Sequence, residues 1–108
     1  MLTKPHYLML SFLLTVGLFS NSVLAETGEK LFQKKLCHTC HGVDGKTLYP
    51  NYPNLTGHDK TYIIPQFKDI KNRVRKNGLT ILMNTFPTIK TTNDSQIKAI
   101  AEYLSELK

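Results

Sequence analysis

Apolar residues recur at helical spacing in three stretches of the chain, and a residue that favours a helix N-terminus precedes each stretch. The predicted helices run over residues 28–35, from 60 to about 72, and from 94 to the C-terminus. Their apolar faces comprise Gly28, Leu31, Phe32 and Leu36; Tyr62, Ile63, Gln66, Phe67 and Ile70; and Ile97, Ile100, Ala101, Leu104 and Leu107. Their predicted N-caps are Thr27, Asp59 and Asn93, the last with Gln96 in a capping box. No long β-type alternation or internal repeat accompanies them, so the sequence predicts an all-α fold.

Pro65 lies inside the second predicted helix. A proline in a helix interior removes one hydrogen-bond donor and clashes with the preceding turn. We therefore expect this helix to be kinked or to consist of two parts.

Two stretches between the helices are predicted to be loops. Residues 46–57 contain Pro50 and Pro53 and show little periodicity. Residues 83–92, which begin with Met83, are rich in threonine and again contain a proline.

The N-terminus resembles an export signal. A short basic lead precedes an apolar run from Tyr7 to Phe19, which is 13 residues long, whereas a membrane-spanning helix needs about 20. Val23 and Ala25 satisfy the small-residue preference of signal peptidase. We therefore expect residues 1–25 to be a cleaved secretory signal peptide and residues 26–108 to be the functional domain. An uncleaved anchor is the alternative.

Charge changes this picture little. The 108-residue chain has a formal charge of +6, which becomes +5 if residues 1–25, with Lys4, are removed. A basic run contains Lys71, Arg73, Arg75 and Lys76, and it is either a solvated face or a docking surface for an acidic partner.

The most specific chemistry lies in Cys37-His38-Thr39-Cys40-His41, directly after the first predicted helix. Read as C-x-x-C-H, this stretch is the attachment signature of a c-type haem. Each thiol can add to one haem vinyl group, and His41 is placed to give a ring nitrogen to the iron. A backbone carbonyl of the following loop would hold the other ring nitrogen.

Other interpretations of the two cysteines are weaker. A zinc site needs two more good ligands, and the chain has no further cysteine. A thioredoxin-like dithiol is typical of a βαβ context, which the pattern does not predict. A simple disulfide remains the third alternative.

A bound iron needs a sixth ligand or an open position. Met83 is the only methionine outside the predicted signal peptide, so it is the first candidate for the axial thioether. His58 is the competing candidate, although its position just before the Asp59 cap leaves it little loop. No Ser-His-Asp arrangement, carboxylate pair or phosphate-binding glycine loop is apparent, so we assign no catalytic residue.

Taken together, these pieces resemble a class I c-type cytochrome, of the monohaem cytochrome c5 or c553 kind, or one half of a cytochrome c4. The resemblance covers nearly the whole of residues 26–108. It rests on Gly28-x-x-Leu31-Phe32, the haem motif followed by Gly42, Pro53-Asn54-Leu55-Thr56-Gly57, Tyr62-Ile63 with Gln66 and Phe67, Met83, and Ala101-Glu102-Tyr103-Leu104. Two departures are Pro65 and the absence of a proline directly after Met83.

The resemblance implies a small cytochrome c fold of about three to four helices around one covalent haem c. Its N- and C-terminal helices would cross, with Gly28 and Phe32 meeting Tyr103 and Leu104. It also implies that the carbonyl of Pro53 holds His41.

The function expected from these features is a soluble periplasmic one-electron carrier whose haem iron is ligated by His41 and Met83. Its partners would be redox proteins with acidic docking surfaces, steered by lysines such as Lys34, Lys35 and Lys46. We expect a monomer, with no nucleic-acid partner and no membrane span after signal cleavage. The alternatives are a haem subunit of a larger oxidoreductase and a five-coordinate haem sensor.

Overall fold

The computed structural model describes residues 25–107, together with residues 3 and 17. The rest of the predicted signal peptide lies outside the described residues. Within the described part there are six helices and no strand: α1 (Gly28–Lys34), α2 (His38–His41), α3 (Lys60–Lys71), α4 (Thr80–Thr85), α5 (Pro87–Lys90) and α6 (Asp94–Glu106). The predicted all-α fold class is confirmed.

All three predicted N-caps make the expected hydrogen bonds. The Thr27 side chain accepts a hydrogen bond from the backbone N–H of Lys30, and the Asp59 side chain accepts one from that of Thr61. At the start of α6, Asn93 and Gln96 form a complete capping box. These bonds satisfy backbone donors that the first turn of a helix leaves without a partner.

α1 and α6 cross at Gly28. A Cβ atom at this position would overlap the carbonyl oxygen of Ala99 and lie 2.7 Å from the Cβ of Tyr103. Beside the crossing, the rings of Phe32 and Tyr103 have their centroids 5.9 Å apart. The expected crossing of the terminal helices is therefore present, and the missing side chain of Gly28 is what permits the close approach.

The main hydrophobic core lies at this crossing. It is built from α1, α3 and α6 and comprises Leu31, Phe32, Ile63, Ile100, Ala101 and Leu104. A smaller cluster contains Phe67, Ile89 and Ile97, with Met83 packed against it. α3 and α6 each contribute buried residues to both clusters, α6 through its predicted apolar stripe, so these two helices join them.

α3 runs without interruption through Pro65. The expectation of a helix in two parts is therefore wrong. Proline cannot donate a hydrogen bond to the carbonyl of Thr61, one turn earlier. Because Thr61 is exposed, water can replace that donor.

Residues 79–91 are more regular than expected. Met83 lies within α4 and not in a loop, and α5 begins at Pro87, which occupies a first-turn position. Proline is well tolerated there because the backbone N–H of that residue would be unpaired in any case. The threonine-rich composition concealed these two short helices. In the described part of the chain, no helix is long and apolar enough to cross a membrane.

Candidate haem-binding site

The C-x-x-C-H motif forms a single helical turn directly after α1. Leu36 has φ of +64°, and the backbone N–H of Cys37 donates to the carbonyl of Phe32 over 3.1 Å, which closes the end of α1. The turn then closes with a hydrogen bond of 3.0 Å from the backbone N–H of His41 to the carbonyl of Cys37. Both thiols are free and partly buried. The turn places both cysteines and His41 on the wall of one cavity.

His41 is buried and oriented by the following loop. Only 8% of its surface is exposed, and its Nδ1 lies 3.0 Å from the carbonyl oxygen of Pro53. Because a carbonyl can only accept, Nδ1 carries the proton in this contact and Nε2 keeps a free lone pair. Burial lowers the pKa of the imidazole, partly opposed by the hydrogen bond to Pro53. A neutral ring with one unprotonated nitrogen is the form that binds a metal.

The loop that carries Pro53 is held by its own hydrogen bonds. The hydroxyl of Thr47 lies 3.1 Å from the carbonyl of Cys40, and the backbone N–H of Thr47 donates to the side chain of Asn54. Farther along, the backbone N–H of Leu55 donates to the carbonyl of Gly45 over 2.8 Å. These contacts tie the loop to the motif and fix the carbonyl of Pro53 relative to His41.

Met83 lies on α4, and its side chain is partly buried. It lines the same cavity as Cys37, Cys40 and His41. The cavity has a volume of about 200 Å³, many times the roughly 10–15 Å³ that one water molecule needs. Its lining is predominantly apolar and includes Phe32, Leu55, Ile63, Phe67, Ile70 and Leu82. The cavity therefore suits a large apolar group with a metal centre. The apolar lining would contact the group, and His41 and Met83 offer a nitrogen and a sulfur to its metal.

His58, the competing candidate, also borders this cavity. Its side chain is exposed, and its ring lies against that of Tyr62 with the centroids 5.5 Å apart. The structure thus brings both candidate sixth ligands to the same cavity, and Met83 is the more buried of the two.

The basic run at the C-terminal end of α3 makes many of its hydrogen bonds within the protein. Lys71 donates to the carbonyl of Thr92, Arg73 to the side chain of Asn84, and Arg75 to those of Gln66 and Asn77. Most of this run therefore joins α3 to its neighbours. Among the lysines near the motif, Lys46 is exposed, Lys34 pairs with Glu26 at 2.8 Å, and Lys35 contacts Thr91.

Sequence reasoning missed Asn84 and the cavity-lining position of Arg75. Asn84 is buried and bonded to α3, whereas the sequence placed it in a loop. An isolated asparagine in a threonine-rich stretch gives no signal of burial. Arg75 belongs to the basic run, and the sequence does not show which residue of that run lines the cavity.

Comparison with known proteins identifies the family. The family model described as "Cytochrome c" matches residues 25–108. The chain is 42% identical to cytochrome c-554(548) of Halomonas halodenitrificans over 69 residues, which cover 64% of this chain and 81% of that protein. It is also 38% identical to cytochrome c4 of Stutzerimonas stutzeri over 106 residues, which cover 93% of this chain and 50% of that protein.

Among solved structures, the cytochrome c4 of Acidithiobacillus ferrooxidans superposes with a TM-score of 0.60 at 32% identity, covering 74% of this chain and 47% of that one. The chain thus spans about half the length of the cytochromes c4 that it matches. The helical fold, the C-x-x-C-H turn and these matches lead to one conclusion: the chain belongs to the cytochrome c family of electron carriers, whose cofactor is covalently attached haem c.

Proposed function

We propose that this protein is a one-electron carrier in which Cys37 and Cys40 hold haem c by thioether bonds and His41 and Met83 are the axial ligands. The observation that carries the proposal is that all four side chains line one apolar cavity. They come from separate elements, since the motif follows α1 and Met83 lies on α4.

Each of these residues has a distinct task. The two cysteines fix the position of the cofactor, and the carbonyl of Pro53 orients His41 and keeps its second nitrogen available. Met83 supplies a neutral thioether, which favours the ferrous state relative to a second imidazole. When bound, the haem supplies the reversible one-electron chemistry. The buried side chains around it exclude water and hold both ligands in place.

We propose the periplasm as the location and acidic redox proteins as the partners. The predicted export signal and the need for haem attachment outside the cytoplasm support the location. The exposed Lys46, close in sequence to the motif, supports the docking mode. Attraction between exposed charges is screened beyond about 10 Å at 0.1 M salt, so electron transfer to such a partner should slow as ionic strength rises.

Carbon monoxide tests the carrier function directly. The ferrous holoprotein, prepared with haem-attachment machinery and kept at neutral pH, should not bind carbon monoxide, because Met83 occupies the sixth position. Fast and complete binding by the untreated protein would contradict the proposal and favour a five-coordinate sensor. A denaturing gel stained for haem serves as the control that the cofactor is covalently attached.

A second candidate function is an electron-transfer subunit or domain of a larger oxidoreductase. The chain is 31% identical over 93 residues to the oxidase subunit CcoP of Helicobacter pylori, a match that covers 82% of this chain and 30% of that subunit, which supports this second function. Purification of the natively expressed protein distinguishes the two functions. A freely diffusing carrier elutes alone, whereas a subunit elutes with a larger chain at fixed stoichiometry.

A further inference from the structure

α4, the helix that carries Met83, has little of its own to hold it. It is six residues long, and its N-cap, Leu79, makes no side-chain hydrogen bond. Isolated helices this short do not persist in water. Leu79, Ile81 and Leu82 are exposed, and Asn84 is the only buried residue of the helix. The stability of α4 must therefore come from contacts outside it.

Asn84 provides such contacts through both the nitrogen and the oxygen of its side-chain amide. Its Nδ2 donates to the carbonyls of Ile70 and Lys71 over 2.7 and 3.0 Å. Its Oδ1 accepts a hydrogen bond of 2.9 Å from the Nε of Arg73. The reverse amide orientation would place an oxygen against two carbonyls and an NH₂ group against a guanidinium. The chemistry of the three partners thus fixes the orientation of the side chain.

The partners of Asn84 lie at the C-terminal end of α3, where helix carbonyls lack partners within the helix. Arg73 has φ of +58°, and the backbone N–H of Val74 donates to the carbonyl of Asp69, which closes the end of the helix. The carbonyl of Lys71 receives its donor from Asn84. Asn84 therefore completes the end of α3 and attaches α4 to it with the same group.

This attachment also sets the rotation of α4. Successive residues of an α-helix point about 100° apart around its axis. With Asn84 directed at α3, its neighbour Met83 lines the cavity and packs against the smaller hydrophobic cluster of Phe67, Ile89 and Ile97. A rotation of the short helix would move the thioether of Met83 away from the iron. It would also turn the amide of Asn84 toward the apolar lining of the cavity.

We propose that Asn84 is a positioning residue that keeps Met83 on the haem iron. The inference rests on the proposed ligation by Met83. It predicts that loss of the amide weakens the iron–thioether bond while the crossing of α1 and α6 stays intact, because Asn84 contacts neither of those helices through its hydrogen bonds.

The test compares Asn84→Ala and Asn84→Asp holoproteins with the wild type. The aspartate variant is nearly isosteric and keeps an acceptor for Arg73, but as a carboxylate it loses both donors. The matched control is Asn93→Ala, which removes a hydrogen-bonding asparagine from the N-cap of α6, away from α4. For each ferric protein we would measure the far-red methionine-to-iron band, the reduction potential and the affinity for imidazole as a competing ligand.

Both Asn84 variants should bind imidazole about tenfold more tightly than the wild type, because they leave the carbonyl of Lys71 without its donor and remove the hydrogen bonds that attach α4 to α3, which weakens the methionine-bound state. Their far-red band should weaken and their potential should fall. Asn93→Ala should lower the unfolding midpoint and leave these three quantities at wild-type values.

Wild-type band, potential and imidazole affinity in both Asn84 variants would overturn the inference. So would failure of both variants to accumulate as holoprotein while Asn93→Ala accumulates, since Asn84 would then serve folding in general. If the wild type lacks the band and Met83→Ala leaves its spectrum unchanged, the ligand assignment itself is wrong. That outcome is distinct from a failure of the Asn84 inference alone.

Discussion

The two sides of the cavity are built in different ways. On one side, α1 and α6 cross at Gly28 and bury Phe32, Ala101 and Leu104 almost completely. On the other side, α4 leaves 60% of Ile81 exposed and is attached to α3 by the polar side chain of Asn84. The first side is a close-packed protein core, whereas the second is a short segment held by hydrogen bonds and by the cavity that it borders.

Because of this difference, the residues that stabilise the fold are not the residues that position the proposed iron ligand. Burial of a large apolar side chain contributes about 1.5–3 kcal/mol, so the residues at the crossing contribute directly to the stability of the fold. α4 offers little buried apolar area, so the position of Met83 depends on Asn84, on the packing of its own side chain against the smaller cluster and on the bound group. Changes at the crossing should act on stability, and changes at α4 should act on the iron.

The largest expected effect follows from removing both thiols. The double variant Cys37→Ser/Cys40→Ser cannot form thioether bonds, so haem staining after denaturing electrophoresis should be lost completely. Thr39→Ala, at a variable position of the same turn, is the matched control and should retain the stain. Persistent staining of the double variant would refute covalent attachment through these cysteines.

A large effect on the iron is expected from Met83→Ala. Loss of the thioether should lower the reduction potential by at least ~59 mV. This shift corresponds to a tenfold change in the preference of the axial ligand for ferrous over ferric iron. The ferrous variant should also bind carbon monoxide. Ile81→Ala changes an exposed residue of the same helix and should leave both properties unchanged. An unchanged potential in Met83→Ala would contradict the assignment of the iron ligand to the α4 side of the cavity.

The opposite pattern is expected from Gly28→Ala. The added Cβ meets the backbone of Ala99, which cannot move without separating α1 from α6, so the free energy of unfolding should fall by about 3 kcal/mol. Denaturant unfolding of the holoprotein measures this change, and the far-red band of the folded protein should persist. Gly78→Ala is the control: nothing lies within 4 Å of its Cβ, and its φ of +55° should cost only about 1 kcal/mol. Equal losses in the two variants would contradict the close-packing argument.

The smallest effect concerns pH and the N-cap of α3. The hydrogen bond from the backbone N–H of Thr61 is the main cause that lowers the pKa of Asp59 below its usual 3.8. A lowered carboxyl pKa contributes stability that is present at neutral pH and lost as the pH falls through the lowered pKa. The difference in thermal midpoint between wild type and Asp59→Ala should therefore shrink below pH 4. The difference between wild type and Asn93→Ala should not follow this titration, since asparagine does not ionise. A constant Asp59 difference down to pH 2 would show that the carboxylate does not act as the cap.

Sequence patterns predicted the parts of this protein that obey local rules. The three long helices follow from apolar spacing, and Thr27, Asp59 and Asn93 follow from cap chemistry. The C-x-x-C-H motif is local as well, since both thiols and His41 lie within five residues. The crossing at Gly28 was implied by resemblance, because nothing in the neighbouring sequence shows which helix approaches the glycine.

The remainder depended on contacts distant in sequence. Met83 was expected in a loop because threonine and asparagine favour loops, yet its segment is helical where it packs against α3 and α5. Asn84 makes hydrogen bonds to residues 11–14 positions away. The spacing of apolar residues does not predict partners at that distance in the sequence. Pro65 suggested a broken helix, but the tertiary contacts of Ile63 and Phe67 on either side outweigh the loss of one hydrogen bond.

The optical spectrum of the ferric holoprotein in the far red tests axial ligation by Met83. Ligation by this thioether predicts the weak methionine-to-iron band at neutral pH in the wild type and its complete absence in Met83→Ala. A covalently attached haem without this band in the wild type would contradict the assignment of Met83. The sixth position would then belong to His58 or be open, and the protein would be a different kind of haem protein from the carrier proposed.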